Sequence, residues 1–226
     1  MRRLLPNPGP TTVSEQLGAY RPWEEAPEER PLVGMNFVVT VDGRATIEGR
    51  SGPIGSEADT AMLAGLRSRF EAVMIGAGTM RVERYGPMKP LMVIVSGRLD
   101  LPWDAPLFTE PASEAVIFTA SEAEPPETAA QVEVVRHEGA VNLGEALRHL
   151  RRERGIRALL SEGGPHLHAQ MQADGLVDDL FLTIAPKMSG GGAPRILEGT
   201  LPELVELELA WLLEEDGELF ARYRRA

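Results

Sequence analysis

Leu159-Leu160-Ser161-Glu162-Gly163-Gly164-Pro165-His166-Leu167-His168-Ala169-Gln170-Met171 joins a short apolar run to a lone carboxylate, two glycines, a proline and an amphipathic segment. The pattern reads as a strand, a tight turn and a helix N-terminus. Proline fits the first helical turn, where its missing N–H costs nothing. A helix start exposes unpaired N–H groups and the positive end of the dipole, which suits a phosphate. Glycines let a ligand approach the backbone. An ordinary strand-to-helix connection would use the same residues, so the stretch alone leaves both readings open.

Outward from it, the same grammar recurs. Ala72-Val73-Met74-Ile75 runs into Gly76-Ala77-Gly78-Thr79, and Met80–Arg84 looks helical. Leu91–Val95 is another short apolar strand, ended by Ser96-Gly97-Arg98. Residues 31–41 suit a buried central strand, and Asp42-Gly43-Arg44 a turn. The loop Gly49–Gly55 precedes Ser56-Glu57-Ala58-Asp59, where a serine cap and first-turn acids open a helix. Ala115–Thr119 and Val132–Val135 are further strands, and Asn142 caps a helix to Arg154. After the opening stretch, Val177–Ala185, Leu204–Leu213 and Glu218–Arg224 read as strands, the last two joined at Asp216-Gly217. Strands alternate with helices and the chain ends in a hairpin. The expected fold is α/β: a mostly parallel central sheet, helices on both faces, and an antiparallel C-terminal edge.

The length of 226 residues suits one such domain. Residues 1–30 carry five prolines and an acidic cluster, Glu24, Glu25, Glu28 and Glu29. They are expected to form an arm on the surface or on a second subunit, with one helical turn near Thr12–Tyr20, leaving 31–226 as the domain. The net charge of −11 argues against a general nucleic-acid binder. Without cysteine there is no disulfide, thiol catalysis or cysteine-ligated metal. No apolar run approaches the roughly 20 residues that span a bilayer, and the cytoplasm is the default compartment.

The candidate chemistry lies at the strand ends. Gly76, Gly78 and Thr79 can cradle a phosphate through backbone N–H groups and a hydroxyl. They lack the third glycine and the later acid of a Rossmann fingerprint. Ser96 and Arg98 suit a 2′-phosphate, or form a plain turn. Glu162 stands where open α/β sheets bind ligands and can orient a substrate or handle a proton. Ser51 and Arg67 can meet a phosphate or hydroxyls. His166 and His168 point to different helix faces and do not make a metal pair; no metal is expected.

Five segments in this order resemble the pyrimidine reductases of riboflavin biosynthesis, which have the dihydrofolate-reductase-like fold. They are Met35–Arg44, Val73–Thr79, Val95–Leu99, Ser161–Pro165, and Ala185-Pro186-Lys187 with the glycine-rich loop after it. The resemblance covers about residues 32–224. It implies an NADPH-dependent reduction of the ribosyl group of 5-amino-6-(5-phosphoribosylamino)uracil to ribityl, by hydride delivery to the sugar C1 of a ring-opened imine. It also implies a homodimer. Along the cofactor it puts Val38, Pro53, Gly76, Gly78, Thr79, Ser96 and Gly163 through Pro165, His166, Leu167 and His168. Toward the substrate it puts Ser51, Arg67 and Glu162. Arg98 as a 2′-phosphate ligand is an extension from charge and position. The paired glycines Gly163-Gly164 resemble those that form a cis peptide in dihydrofolate reductases.

One segment departs from the family. Where the riboflavin enzymes carry an Asp-Asp-Pro-x-Leu-Thr-x-Arg-type run, this chain has Met80-Arg81-Val82-Glu83-Arg84-Tyr85-Gly86-Pro87. Glu83 can stand in for the first acid, and Arg84 or Lys89 for the cation. Two other readings stay open: a same-fold reductase of another pterin-like or carbonyl substrate, and a non-catalytic nucleotide-binding protein.

Overall fold

The computed structural model describes residues 1–226. The chain opens with two short strands, β1 (Arg2–Leu5) and β2 (Gly9–Pro10), and the helix α1 (Val13–Gly18). A reciprocal capping box starts α1: the Thr12 hydroxyl accepts from Glu15 N, and the Glu15 carboxylate accepts from Thr12 N. Next come β3 (Leu32–Thr40) and α2 (Glu57–Arg67), then β4 (Ala72–Gly76) and α3 (Ala77–Glu83), then β5 (Leu91–Val95). Ser56 caps α2 by accepting from the backbone N–H of Ala58 and Asp59. A four-residue helix, α4 (Pro106–Thr109), interrupts what reads in the sequence as a proline loop. β6 (Glu114–Thr119), β7 (Gln131–Arg136), α5 (Leu143–Glu153), β8 (Ala158–Ser161) and α6 (Pro165–Ala173) follow. Asn142 caps α5 by accepting from Glu145 N at 2.9 Å. β9 (Asp179–Ala185), β10 (Leu207–Glu215) and β11 (Glu218–Arg225) complete the chain.

All strands join one sheet, in the order β2-β1-β10-β11-β9-β3-β8-β4-β5-β6-β7. From β9 to β7 every pairing is parallel. From β2 to β9 every pairing is antiparallel. The expected mixed architecture is therefore present. The β10–β11 turn takes Asp216 and Gly217 through φ of 50° and 81°, the left-handed pair that a tight hairpin requires.

The sheet is buried on both faces, which is why its central strands are continuously apolar. On β4, Val73 and Ile75 enter one core with Leu66 and Met80, while Ala72 and Met74 enter the other with Leu147 and Met171. Side-chain alternation along a strand makes this division. The helices α2 and α3 cover the first face, and α5 and α6 the second.

Two expectations change. Residues 1–30 do not lie as a surface arm. β1 pairs with β10, and Leu17 and Tyr20 enter the first core, because the register of β1 lets its chain close the sheet edge. The final hairpin begins at Leu207, not Leu204; Leu204 is 86% exposed and so gains nothing from pairing.

Candidate functional site

A cavity of about 550 Å³ opens at the carboxyl ends of β3, β4, β5 and β8. Ligands in open α/β sheets bind at this end, and the volume falls in the range of small-molecule sites.

One wall is glycine-rich. The Gly76 N–H donates to Gly163 O at 3.0 Å, and the Gly164 N–H to Thr79 Oγ1 at 3.1 Å. These two bonds join the turn after β4 to the turn after β8. The Thr79 hydroxyl accepts there and keeps its own proton for another partner. Gly163 and Gly164 have φ of 104° and 38°. A β-carbon at residue 163 would lie 3.2 Å from the Phe37 ring, so both dihedral and space call for glycine. The expected cis bond is not present: Leu5-Pro6 is the one cis peptide of the chain. The left-handed dihedrals turn the backbone instead. Pro165 occupies the first turn of α6, and no side chain caps that helix. The N–H groups at His166 and Leu167 therefore face the cavity wall without a capping oxygen.

The other wall carries charge. The N–H of Glu162 donates to Met74 O at 2.9 Å, fixing the residue at the strand end. Arg67 Nε and Nη2 donate to the two Glu162 oxygens, each at 2.6 Å. The Tyr85 hydroxyl donates to Oε2 at 3.0 Å, and the Arg67 guanidinium lies 5.7 Å from the Tyr85 ring centre. The hydrogen bond to Glu162 raises the Arg67 pKa above its ordinary value. Burial, then the Glu162 charge, pushes the Tyr85 phenol well up. Glu162 is 4% exposed and Arg67 31%. Arg67, expected to meet a substrate directly, is instead a clamp on Glu162, because a bidentate carboxylate is its strongest available partner.

The remaining expected residues divide. Val38, Gly76, Gly78, Thr79, Glu83, Ser51, Glu162 and Gly163 through Leu167 line the cavity. Glu83 does not stand free there, since its Oε1 accepts from Ser51 N at 3.3 Å and Ser51 Oγ at 3.1 Å. Pro53 lies outside the wall, with its carbonyl accepting from Lys187 Nζ at 2.9 Å. Ser96 is buried at the end of β5, and Arg98 is exposed in the turn beyond it; neither reaches the cavity wall. His168 is turned into the protein. Its N–H donates to Gly164 O, its Nδ1 to Ile196 O at 2.8 Å, and its Nε2 accepts from Gln172. Burial lowers its pKa, so the imidazole is a neutral packing group stacked on Phe37 at 5.0 Å. Arg84 is bound to Asp104 at 2.8 Å, which leaves exposed Lys89, just beyond the departing segment, as the other expected cation.

Among the cavity residues that sequence reasoning missed are Tyr85, Asn36 and Asp59. Tyr85 reads as part of a chain break before Gly86-Pro87. Asn36 reads as one polar residue inside a central strand. Asp59 reads as a first-turn acid suited to the helix dipole. The missed signal for Asp59 is spacing: Asp59, Leu63 and Arg67 are four apart, so one row of α2 faces the site.

The chain resembles known proteins throughout its length. The 2,5-diamino-6-ribosylamino-4(3H)-pyrimidinone 5′-phosphate reductase of Methanothermobacter thermautotrophicus is 31% identical over 209 residues, spanning 83% of this chain and 95% of that one. The chain spans about half the length of the relatives named riboflavin biosynthesis protein RibD. In fold, a pyrimidine reductase-like protein from Corynebacterium diphtheriae superposes with a TM-score of 0.82 at 24% identity, covering 96% of this chain and 99% of that one. Dihydrofolate reductase from Enterococcus faecalis superposes with a TM-score of 0.51 at 12% identity, covering 86% and 96%. The RibD C-terminal domain model matches residues 31–216; the chain belongs to that family.

Proposed function

We propose that the protein is an NADPH-dependent reductase of a ribosylaminopyrimidine 5′-phosphate, converting the ribosyl group to ribityl. The observation that carries this is the two-walled cavity. Uncapped N–H groups and glycines fit a dinucleotide phosphate on one side, and the Glu162 carboxylate on the other fits hydrogen-bond donors of a pyrimidine or sugar. Gly163 and Gly164 are positions where a side chain would fill the cradle, so the residues present fit the cofactor. A nicotinamide bound there supplies the hydride.

The chain's own part is orientation and exclusion of water. Thr79 and the N-terminus of α6 hold phosphate. Val38 and Leu167 present apolar surface. Glu162 accepts three hydrogen bonds from Arg67 and Tyr85, which favours an orienting role over proton transfer. Arg98 approaches the 2′-phosphate from the turn after β5, and Arg98→Ala weakens NADPH binding about tenfold while sparing NADH, read by cofactor fluorescence. Residues 1–226 act as one reductase domain, because β1, Leu17 and Tyr20 belong to the same sheet and core, and the protein works as a homodimer.

The test is oxidation of NADPH with 5-amino-6-(5-phosphoribosylamino)uracil, followed at the dihydronicotinamide absorbance. Turnover supports the reading, and cofactor binding without turnover moves weight to a different carbonyl substrate or a non-catalytic nucleotide binder. A second substrate belongs in the same assay. The near full-length match to the diaminopyrimidinone phosphate reductase favours trying that 2,5-diamino compound beside the uracil.

A further inference from the structure

Resting on the reductase reading, we infer that Asp59 is the acid that supplies the proton of the reduction. Reducing the ribosylamine carbon takes up one hydride and one proton. The C1–O bond of the sugar ring breaks with help from the nitrogen lone pair. The ring oxygen takes the proton, the carbon takes hydride, and the nicotinamide is oxidised by two electrons. The carboxyl that loses the proton regains it from solvent. A donor for this step must face the substrate space, hold its proton more tightly than a solvent-exposed carboxyl and be free of a permanent cation.

Glu162 fails that description, because both of its oxygens are held by Arg67 and one also by Tyr85. Asp59 meets it. Asp59 lines the cavity from the first turn of α2, on the same helical row as Leu63 and Arg67. Its carboxyl occupies the space beside Gly55 that a β-carbon there would take: that atom would collide with Asp59 Oδ2. The glycine thus makes room for the acid. The hydroxyl of Thr183, on β9, favours its charged form, and no cation contributes to its charge balance. Burial raises its pKa above the ordinary aspartate value, with the Thr183 bond opposing.

The charged groups packed around it are mainly acids. From β11, Glu218 faces the same region and is itself raised, by burial first and by Asp59 among its further causes. Ser56 donates to Glu218, and Glu215 adds negative charge beyond it. Lys187, after β9, is engaged with the carbonyls of Pro53 and Ile54 at 2.9 and 2.7 Å. Across the cavity, Glu83 is engaged with Ser51, and Glu162 with Arg67. A carboxyl among these groups keeps its proton to higher pH than a solvent-exposed one.

The test compares the wild type with Asp59→Asn and Thr183→Val. In the wild type the acid form is the donor, so kcat falls as pH rises through the raised pKa of Asp59. Asp59→Asn lowers kcat about 10²-fold or more, abolishes that alkaline limb and leaves the Kd for NADPH unchanged. Thr183→Val removes the bond that favours the carboxylate, so the limb moves to higher pH. Carbon-13 NMR of aspartate-labelled protein shows one carboxyl titrating above the others, absent from Asp59→Asn. This readout needs no turnover. An Asn variant with wild-type kcat and an intact alkaline limb, or an Asp59 resonance titrating in the ordinary range, overturns the inference. A wild type that oxidises no NADPH overturns the reductase reading instead, and the NMR titration still reports whether Asp59 holds its proton.

Discussion

Two clusters in this molecule are built from the same three groups and lie at opposite ends of the sheet. At the start of β9, Arg222 donates twice to Asp179 at 2.9 and 3.0 Å, and Tyr20 donates to Asp179 at 2.7 Å. The guanidinium lies 4.3 Å from the Tyr20 ring centre. Just past β8, Arg67, Glu162 and Tyr85 repeat the arrangement. The first cluster is enclosed: Asp179 is 1% exposed and Arg222 11%. It ties residues 1–30 to the core through Tyr20, whose phenol burial pushes up in pKa. The second borders the cavity. The same groups anchor the amino ends of the parallel strands and border the cavity at their carboxyl ends. Location in the sheet, not residue type, separates the roles.

The sharpest separation comes from removing each arginine. Arg222→Ala leaves buried Asp179 with only the more distant Arg224, at 3.8 Å, and costs about 3–5 kcal/mol in urea unfolding. Arg67→Ala costs less, about 1.5–3 kcal/mol, since water from the cavity reaches Glu162; its main effect is lost turnover. Equal stability losses with full turnover in Arg67→Ala would break the comparison. Next in size, Glu162→Gln lowers turnover at least tenfold while the melting temperature moves little. Unchanged turnover there ends the assignment of a role to Glu162. The smallest effect comes from the phenols. Tyr20→Phe removes one buried hydrogen bond and costs about 1 kcal/mol of stability, whereas Tyr85→Phe is read mainly in KM for the substrate.

Local order was legible in the sequence. Caps at Ser56 and Asn142, the hairpin at Asp216-Gly217 and the glycine turns after β4 and β8 each depend on neighbouring residues, so their signals are local. The clusters were not. Arg67 meets Glu162 across 95 residues, and Arg222 meets Asp179 across 43. Nothing within a helix or a strand names its distant partner. Arg67 therefore read as a phosphate ligand, although its guanidinium is committed to a carboxylate. His168 misled for a related reason. It follows the glycine turn as a cofactor contact would, but α6 rotates it inward to Ile196 and Gln172. The first thirty residues read as an arm because proline density describes local stiffness and says nothing about pairing with a strand two hundred residues away.

That last pairing bears on how the chain assembles. Arg2 meets Glu214 across 212 residues. Closing so long a loop carries a large entropy cost that no local contact offsets beforehand. β1 therefore stays unpaired until β10, two hundred residues on, is in place. The β10–β11 hairpin needs only its two-residue turn. The hairpin, whose turn is local, is thus the template on which β1 docks, with β2 outside it.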